Sequence, residues 1–112
     1  MSDIKFFKKD ELKVKNVLKS SQLRAVANEH VMITLFDFGP EDEVMPNHNH
    51  PHEQITFVLR GSVRMISGEK SQVLNTGQGA IIPPDVEHEV IALEKESQVL
   101  DVFYPLREEY LS

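Results

Sequence analysis

Cysteine is absent from the 112-residue chain. That excludes disulfides, zinc ribbons, thiolate nucleophiles and iron–sulfur clusters. Any metal must therefore be held by His, Asp, Glu, Gln or Asn. No apolar run approaches the length of a membrane span, and the opening Met-Ser-Asp-Ile-Lys lacks the features of a secretory leader. Positive charge is in deficit, with 12 Lys plus Arg against 18 Asp plus Glu and a formal charge of −6. Such a chain has no general attraction for phosphate backbones or anionic membranes. The expectation is a cytoplasmic protein that binds neither nucleic acid nor membrane. Lys5, Lys8, Lys9, Lys13, Lys15 and Lys19 do cluster early, but Asp10 and Glu11 interrupt them, as on a solvated face.

This length holds one domain, and folding should bury roughly two-thirds of the surface of the unfolded chain. Residues 1–22 read as a charged arm, containing a turn or short strand and packed on the main body or on a partner subunit, with residues 23–112 forming that body. From Leu23 onward the pattern is β. Apolar runs rich in branched and aromatic residues cover 23–27, 31–38, 55–59, 63–66, 72–74, 80–82, 86–93 and 98–104. Gly61-Ser62, Ser67-Gly68-Glu69, Asn75-Thr76-Gly77 and Pro83-Pro84-Asp85 punctuate them at hairpin spacing. The expected class is all-β, a sandwich or barrel. In residues 54–60, Ile55, Phe57 and Leu59 share one face and Gln54, Thr56 and Val58 the other; residues 99–104 are apolar on both faces. Burial on both faces calls for a second layer, and a homodimer is the economical expectation.

Three of the five histidines fall in Asn47-His48-Asn49-His50-Pro51-His52-Glu53-Gln54. On an extended segment His48 and His50 point the same way, so two imidazoles can share one cation. Gln54 has the same parity and offers an amide oxygen. His88 follows the turn at Pro83-Pro84-Asp85, and a closed β-structure can bring it alongside. Three imidazoles and an oxygen donor suit one divalent first-row ion, with Ni, Fe, Mn, Zn and Co all compatible. The plainer alternative is a set of solvated loop histidines. His52 reads as a supporting or surface residue and His30 as unrelated. Glu53 competes with Gln54 as oxygen donor, but should point the other way on a strand.

The pattern His48-x-His50-x3-Gln54-x6-Gly61, then Gly77-x5-Pro83-x4-His88, resembles the paired signature motifs of the cupin family. The resemblance spans about residues 44–104 and implies a small double-stranded β-helix, or jelly-roll barrel. In that family the first motif supplies two His and usually a Glu, and the second supplies a third His. Here Gln54 replaces the Glu, Asp42 and Asp85 stand where glycines are common, and Ala92 replaces a terminal Asn. A neutral oxygen ligand leaves a bound ion more electrophilic, which favours Lewis-acid over oxygen chemistry.

His48 to Thr56, Ile82 to His88 and the ending from Leu100 to Leu111 are similar to the pectin-degradation cupins. That resemblance implies an enzyme that opens 4,5-unsaturated uronate monosaccharides, from pectin or alginate breakdown, to a linear keto acid. It assigns catalysis to Asp101 and substrate binding to Phe103 and Arg107. Read without it, Asp101 is a carboxylate in an apolar strand, costly unless paired or near a metal. Phe103 then reads equally as core, and Arg107 as a partner for Glu108 or another acid. Its planar fork also suits a substrate carboxylate. The alternatives are another metal-dependent cupin enzyme, of polyketide cyclase or dioxygenase type, and a non-catalytic sugar-binding or small-molecule-binding cupin.

Overall fold

The structure, a computed structural model, describes residues 3–111. Its ten strands are β1 (Lys15–Val17), β2 (Ser21–Ala27), β3 (Met32–Asp37), β4 (Val44–His48), β5 (Glu53–Arg60), β6 (Ser62–Ser67), β7 (Lys70–Asn75), β8 (Gly79–Ile82), β9 (His88–Ala92) and β10 (Gln98–Tyr104). One sheet has the order β1-β2-β3-β10-β5-β8 and the other β4-β9-β6-β7, with antiparallel pairing throughout. Helical structure among the described residues is limited to 3-10 turns at Lys9–Glu11 and Glu108–Tyr110. None is long or apolar enough to cross a membrane. The all-β class expected from the strand pattern is the one observed, in the jelly-roll form that the cupin resemblance implies.

The two sheets share one core. Leu23, Phe36, Val58 and Val99 of the first pack against Val63, Leu74 and Ala92 of the second. Cross-strand register arranges the inner face of the larger sheet in rows. Phe36, Val99 and Val58 form an apolar row at one end. Next come Thr34, Asp101, Thr56 and Ala80, and then Met32, Phe103, Gln54 and Ile82. The interior thus holds its polar side chains, Thr34, Asp101, Thr56 and Gln54, in the two rows beyond that apolar one.

β4 lies outside the strand runs expected from sequence, and β1 is a short strand at the end of the charged arm. Lys15-Asn16-Val17 pairs with β2, so the sheet begins inside the charged N-terminal segment. Val44-Met45-Pro46-Asn47-His48 alternates poorly and contains a proline. It is strand because β9 supplies its backbone partners at Val44↔Ile91, Met45↔Val90 and His48↔His88, with an irregularity between Met45 and His48. It lies at a sheet edge, where proline is tolerated.

Gly61 turns β5 into β6 with φ +79°, and a Cβ there would meet Ser97 Oγ at 2.3 Å. Gly68 has φ +59° but open space around it. Gly68→Ala should therefore cost only the left-handed backbone penalty, about 1–2 kcal/mol. Gly61→Ala should cost clearly more, because the buried Ser97 must also move. Urea unfolding of both variants checks the order.

Candidate metal centre

Two turns and one strand pairing bring three histidines together. His48 ends β4 and His88 opens β9, and the two are register partners. His50 lies beyond β4 in the loop to β5, tethered by the bond from Asp85 N–H to His50 C=O (2.8 Å). Asp85 adopts φ +65° and Asp42 φ +67°. At both family glycine positions the left-handed turn is kept by aspartate, a residue that tolerates it.

The ring centroids of His48 and His88 are 4.3 Å apart, with His50 at 5.6 and 5.2 Å from them. Ligand nitrogens of all three lie within 4.8 Å of one another. His48 Nδ1 faces the Pro46 carbonyl at 2.8 Å and His88 Nδ1 the Val86 carbonyl at 2.9 Å. A carbonyl only accepts, so each Nδ1 carries the proton and each Nε2 is bare. His88 Nε2 is buried with no partner. His50 Nε2 lies 2.9 Å from Gln54 Oε1. Ligand atoms about 2.1 Å from one ion at right angles lie ~3 Å apart, so this pair has a separation that a shared ion permits. The orphaned nitrogen and the N3O donor set fit a divalent transition ion.

Burial lowers the pKa of all three imidazoles, and His50, with the Arg107 guanidinium also acting on it, is pushed down to about 4. Neutral imidazoles are the ligating form. His52 stands outside the triad, with Nε2 3.1 Å from the Leu106 carbonyl. Exposed His30 lies beside Glu29. Glu53 is exposed and Gln54 buried, on opposite faces of β5.

Asp101 sits on β10, flanked by β3 and β5, and makes no salt bridge among the described residues. Its Oδ1 accepts hydrogen bonds from Thr56 Oγ1 (2.6 Å) and Gln54 Nε2 (3.1 Å), while no bond to Oδ2 occurs among the described residues. Burial raises its pKa against those two bonds. Phe103, 1% exposed, makes edge contacts with His50, His52 and Tyr110. The Arg107 guanidinium lies 5.4 Å from the Phe103 ring centre and 4.4 Å from that of Tyr110, and Nε donates to Glu109. Of the acids the sequence offered, Glu108 or another, the one it meets is Glu109.

His48, Gln54, His88, Asp101, Phe103 and Arg107 line one narrow cavity of about 30 Å³. Thr34, Thr56 and Tyr110 line it too and were missed from sequence. Tyr110 had a signal, an aromatic three residues beyond Arg107. Thr56 shares the parity of Gln54, whereas Thr34 reaches the site only through pairing with Asp101.

Because the triad binds protons less readily when folded, its contribution to stability is full above the unfolded pKa near 6.5. It is lost as the pH falls toward the folded values, about 4 for His50. NMR titration of the metal-free protein should place the His50 midpoint near 4. A midpoint near 6.5 would contradict the dry setting.

The cupin domain model matches residues 34–103. A pectin degradation protein, KdgF of Dickeya dadantii (strain 3937), is 30% identical over 84 residues, covering 75% of this chain and 76% of that protein. The solved structure of KdgF from Halomonas sp. superposes with a TM-score of 0.87 at 29% identity, covering 94% of this chain and 98% of that one. An RmlC-like cupin from Shewanella frigidimarina has the same TM-score at 20% identity, covering 96% of each chain, a likeness of fold alone. With its paired histidine motifs on the two strands that the jelly roll joins, the chain belongs to the cupin domain family.

Proposed function

We propose that the chain is a cytoplasmic, metal-dependent enzyme of lyase or isomerase type that opens 4,5-unsaturated uronate monosaccharides from pectin or alginate breakdown. The observation that carries this reading is Asp101. It is a buried carboxylate one register row from Gln54, held among the described residues through Oδ1 alone, in the cavity that His48, His88 and Arg107 also line. The similarity to the KdgF proteins supports the same substrate class.

A divalent ion held by His48, His50, His88 and Gln54 would stabilise negative charge developing on a substrate oxygen. Arg107 binds the C6 carboxylate, its guanidinium kept in place by the Phe103 and Tyr110 rings and by Glu109. Asp101 Oδ2 takes the proton of the hemiacetal hydroxyl as the ring C–O bond breaks, and a proton delivered to C4 completes the keto acid. The composition is unchanged overall. A carboxylate whose pKa is raised by burial suits this exchange, since a general base works best near the ambient pH. Phe103 forms an apolar wall beside the ring.

The test is the decay of the C4=C5 ultraviolet absorbance of an unsaturated uronate monomer with metal-loaded protein, chelated protein and no protein. A rate above the spontaneous one that vanishes on chelation is expected. His48→Ala should lose metal and activity together. Asp101→Asn should keep the metal and lose about 10²–10⁴ in rate; full activity in that variant removes Asp101 from the chemistry. Three coincident traces for the unmodified protein reject the uronate reading, and turnover that needs O₂ or an aromatic substrate moves the chain to another cupin class. Saturable sugar binding without product makes it a binding module.

The working form in this reading is a homodimer. Ile55, Phe57 and Ile81 are 49%, 42% and 77% exposed on the outer face of β5 and β8. Leu100 and Val102 continue that face through their pairing with Phe57 and Ile55. An apolar surface spread across adjacent strands is a mark of an interface. The N-terminal arm, with Phe6 and Phe7 near Val31 and Ile33, lies at its border. Light scattering should give twice the chain mass, and Phe57→Lys should give the monomer. A monomeric unmodified protein at micromolar concentration overturns this assignment.

A further inference from the structure

We propose that Thr56 and Asp101 are positioning residues that decide which end of the Gln54 side chain faces the histidines. They thereby make an amide, rather than a carboxylate, the oxygen donor that suits this site. The inference rests on the metal-centre reading above and adds a determinant to it.

A glutamine amide has two ends of nearly equal size, one a double donor and the other an acceptor. Packing alone cannot tell them apart, but hydrogen-bond partners can. Gln54 Nε2 has two hydrogens, and two acceptors receive them: Thr56 Oγ1 at 3.0 Å and Asp101 Oδ1 at 3.1 Å. The Thr56 hydroxyl in turn gives its own hydrogen to Asp101 Oδ1 at 2.6 Å. Oδ1 is therefore an acceptor whether the carboxyl is ionised or carries a proton on Oδ2. The three groups close a small ring in which every hydrogen is committed, and Oε1 is left pointing at His50 Nε2, 2.9 Å away.

Turning the amide over would set Oε1 against Asp101 Oδ1, two acceptors about 3 Å apart, and aim an N–H at the imidazole nitrogen that an ion needs. The contact between two buried acceptors is costly, so the orientation is biased. The same geometry disfavours glutamate at position 54. A carboxylate has no hydrogen for Asp101 Oδ1, and the single Thr56 proton cannot serve two acceptors. The arrangement comes from sheet register: Thr56 and Asp101 are direct partners across β5 and β10, and Gln54 is the next inward residue on β5.

Cobalt(II) is the probe, because its visible absorption reports donor geometry and chelator competition reports affinity. The protein is compared with its Thr56→Val, Thr56→Ser, Gln54→Glu, Asp101→Asn and Gln54→Glu/Asp101→Asn variants. Thr56→Val should weaken Co(II) binding about tenfold or more and change the visible spectrum, and Thr56→Ser should restore both. Asp101→Asn alone should change affinity little, since the Asn oxygen can accept the same bonds. In the Gln54→Glu background the same substitution should strengthen binding about tenfold, because the Asn amide can now donate to the introduced carboxylate.

The proposal is overturned if Thr56→Val binds as the unmodified protein does with the same spectrum, or if the effect of Asp101→Asn is the same with glutamine or glutamate at position 54. Should Thr56→Val fail to fold, the double-mutant cycle at positions 54 and 101 decides between coupling and its absence by itself. An unmodified protein that takes up no Co(II) rejects the metal centre and this proposal together. Uptake without coupling rejects this proposal alone.

Discussion

The pairing of β10 with β5 is the constraint on which the site depends. It sets Asp101 opposite Thr56 and Phe103 opposite Gln54, and β3 on the far side sets Thr34 beside Asp101. Strand side chains alternate between faces, so a slip of one residue would turn Asp101 outward and bring Leu100 and Val102 inside. What opposes the slip is the apolar row below, where Val99 packs between Phe36 and Val58. Hydrocarbon packing at one end of the strand thus holds a carboxylate in register at the other. The burial of that carboxylate is offset by the two hydrogen bonds to its Oδ1.

β5 reverses the usual distribution of polarity. Its inward face carries Gln54 and Thr56, its outward face Ile55, Phe57 and Leu59. As a solitary amphipathic strand it would turn over. It stays because Val58 anchors the core, and because each inward polar group meets a partner: His50 and Asp101 for the amide, Asp101 for the hydroxyl. Such departures from hydrophobic patterning are where function is expected, since a polar interior is tolerated only when it is satisfied. The triad is only partly satisfied. Carbonyls hold the Nδ1 atoms of His48 and His88, and the lone pair of His88 Nε2 is left for a ligand.

The ending of the chain closes this mouth. The segment after β10 returns over the barrel and places Arg107 between Phe103 and Tyr110, while the Leu106 carbonyl faces His52. The role of His52 is thereby visible: it touches the segment that carries the guanidinium rather than joining the donors. The motif already set His52 apart from His48 and His50 as a supporting or surface residue; what it touches lies more than fifty positions away, a contact that only the folded chain makes.

The strands with regular alternation, the hairpin turns, the absence of thiol chemistry and the paired histidine motifs were legible in the residues, because they rest on local stereochemistry and on side-chain identity. Even the aspartates at two glycine positions could be read as turns, and their positive φ values follow from the short polar side chain. β4 was not legible, since its backbone bonds come from a neighbour rather than from its own composition. Nor were Thr34 and Thr56, ordinary residues until register puts them beside Asp101. The sequence by itself determined the fold class and the types of donor available, through the two-residue period of strands and the chemistry of imidazole and amide. Only the tertiary structure decided which donors converge and which way the Gln54 amide points, because both depend on pairing between strands distant in the chain.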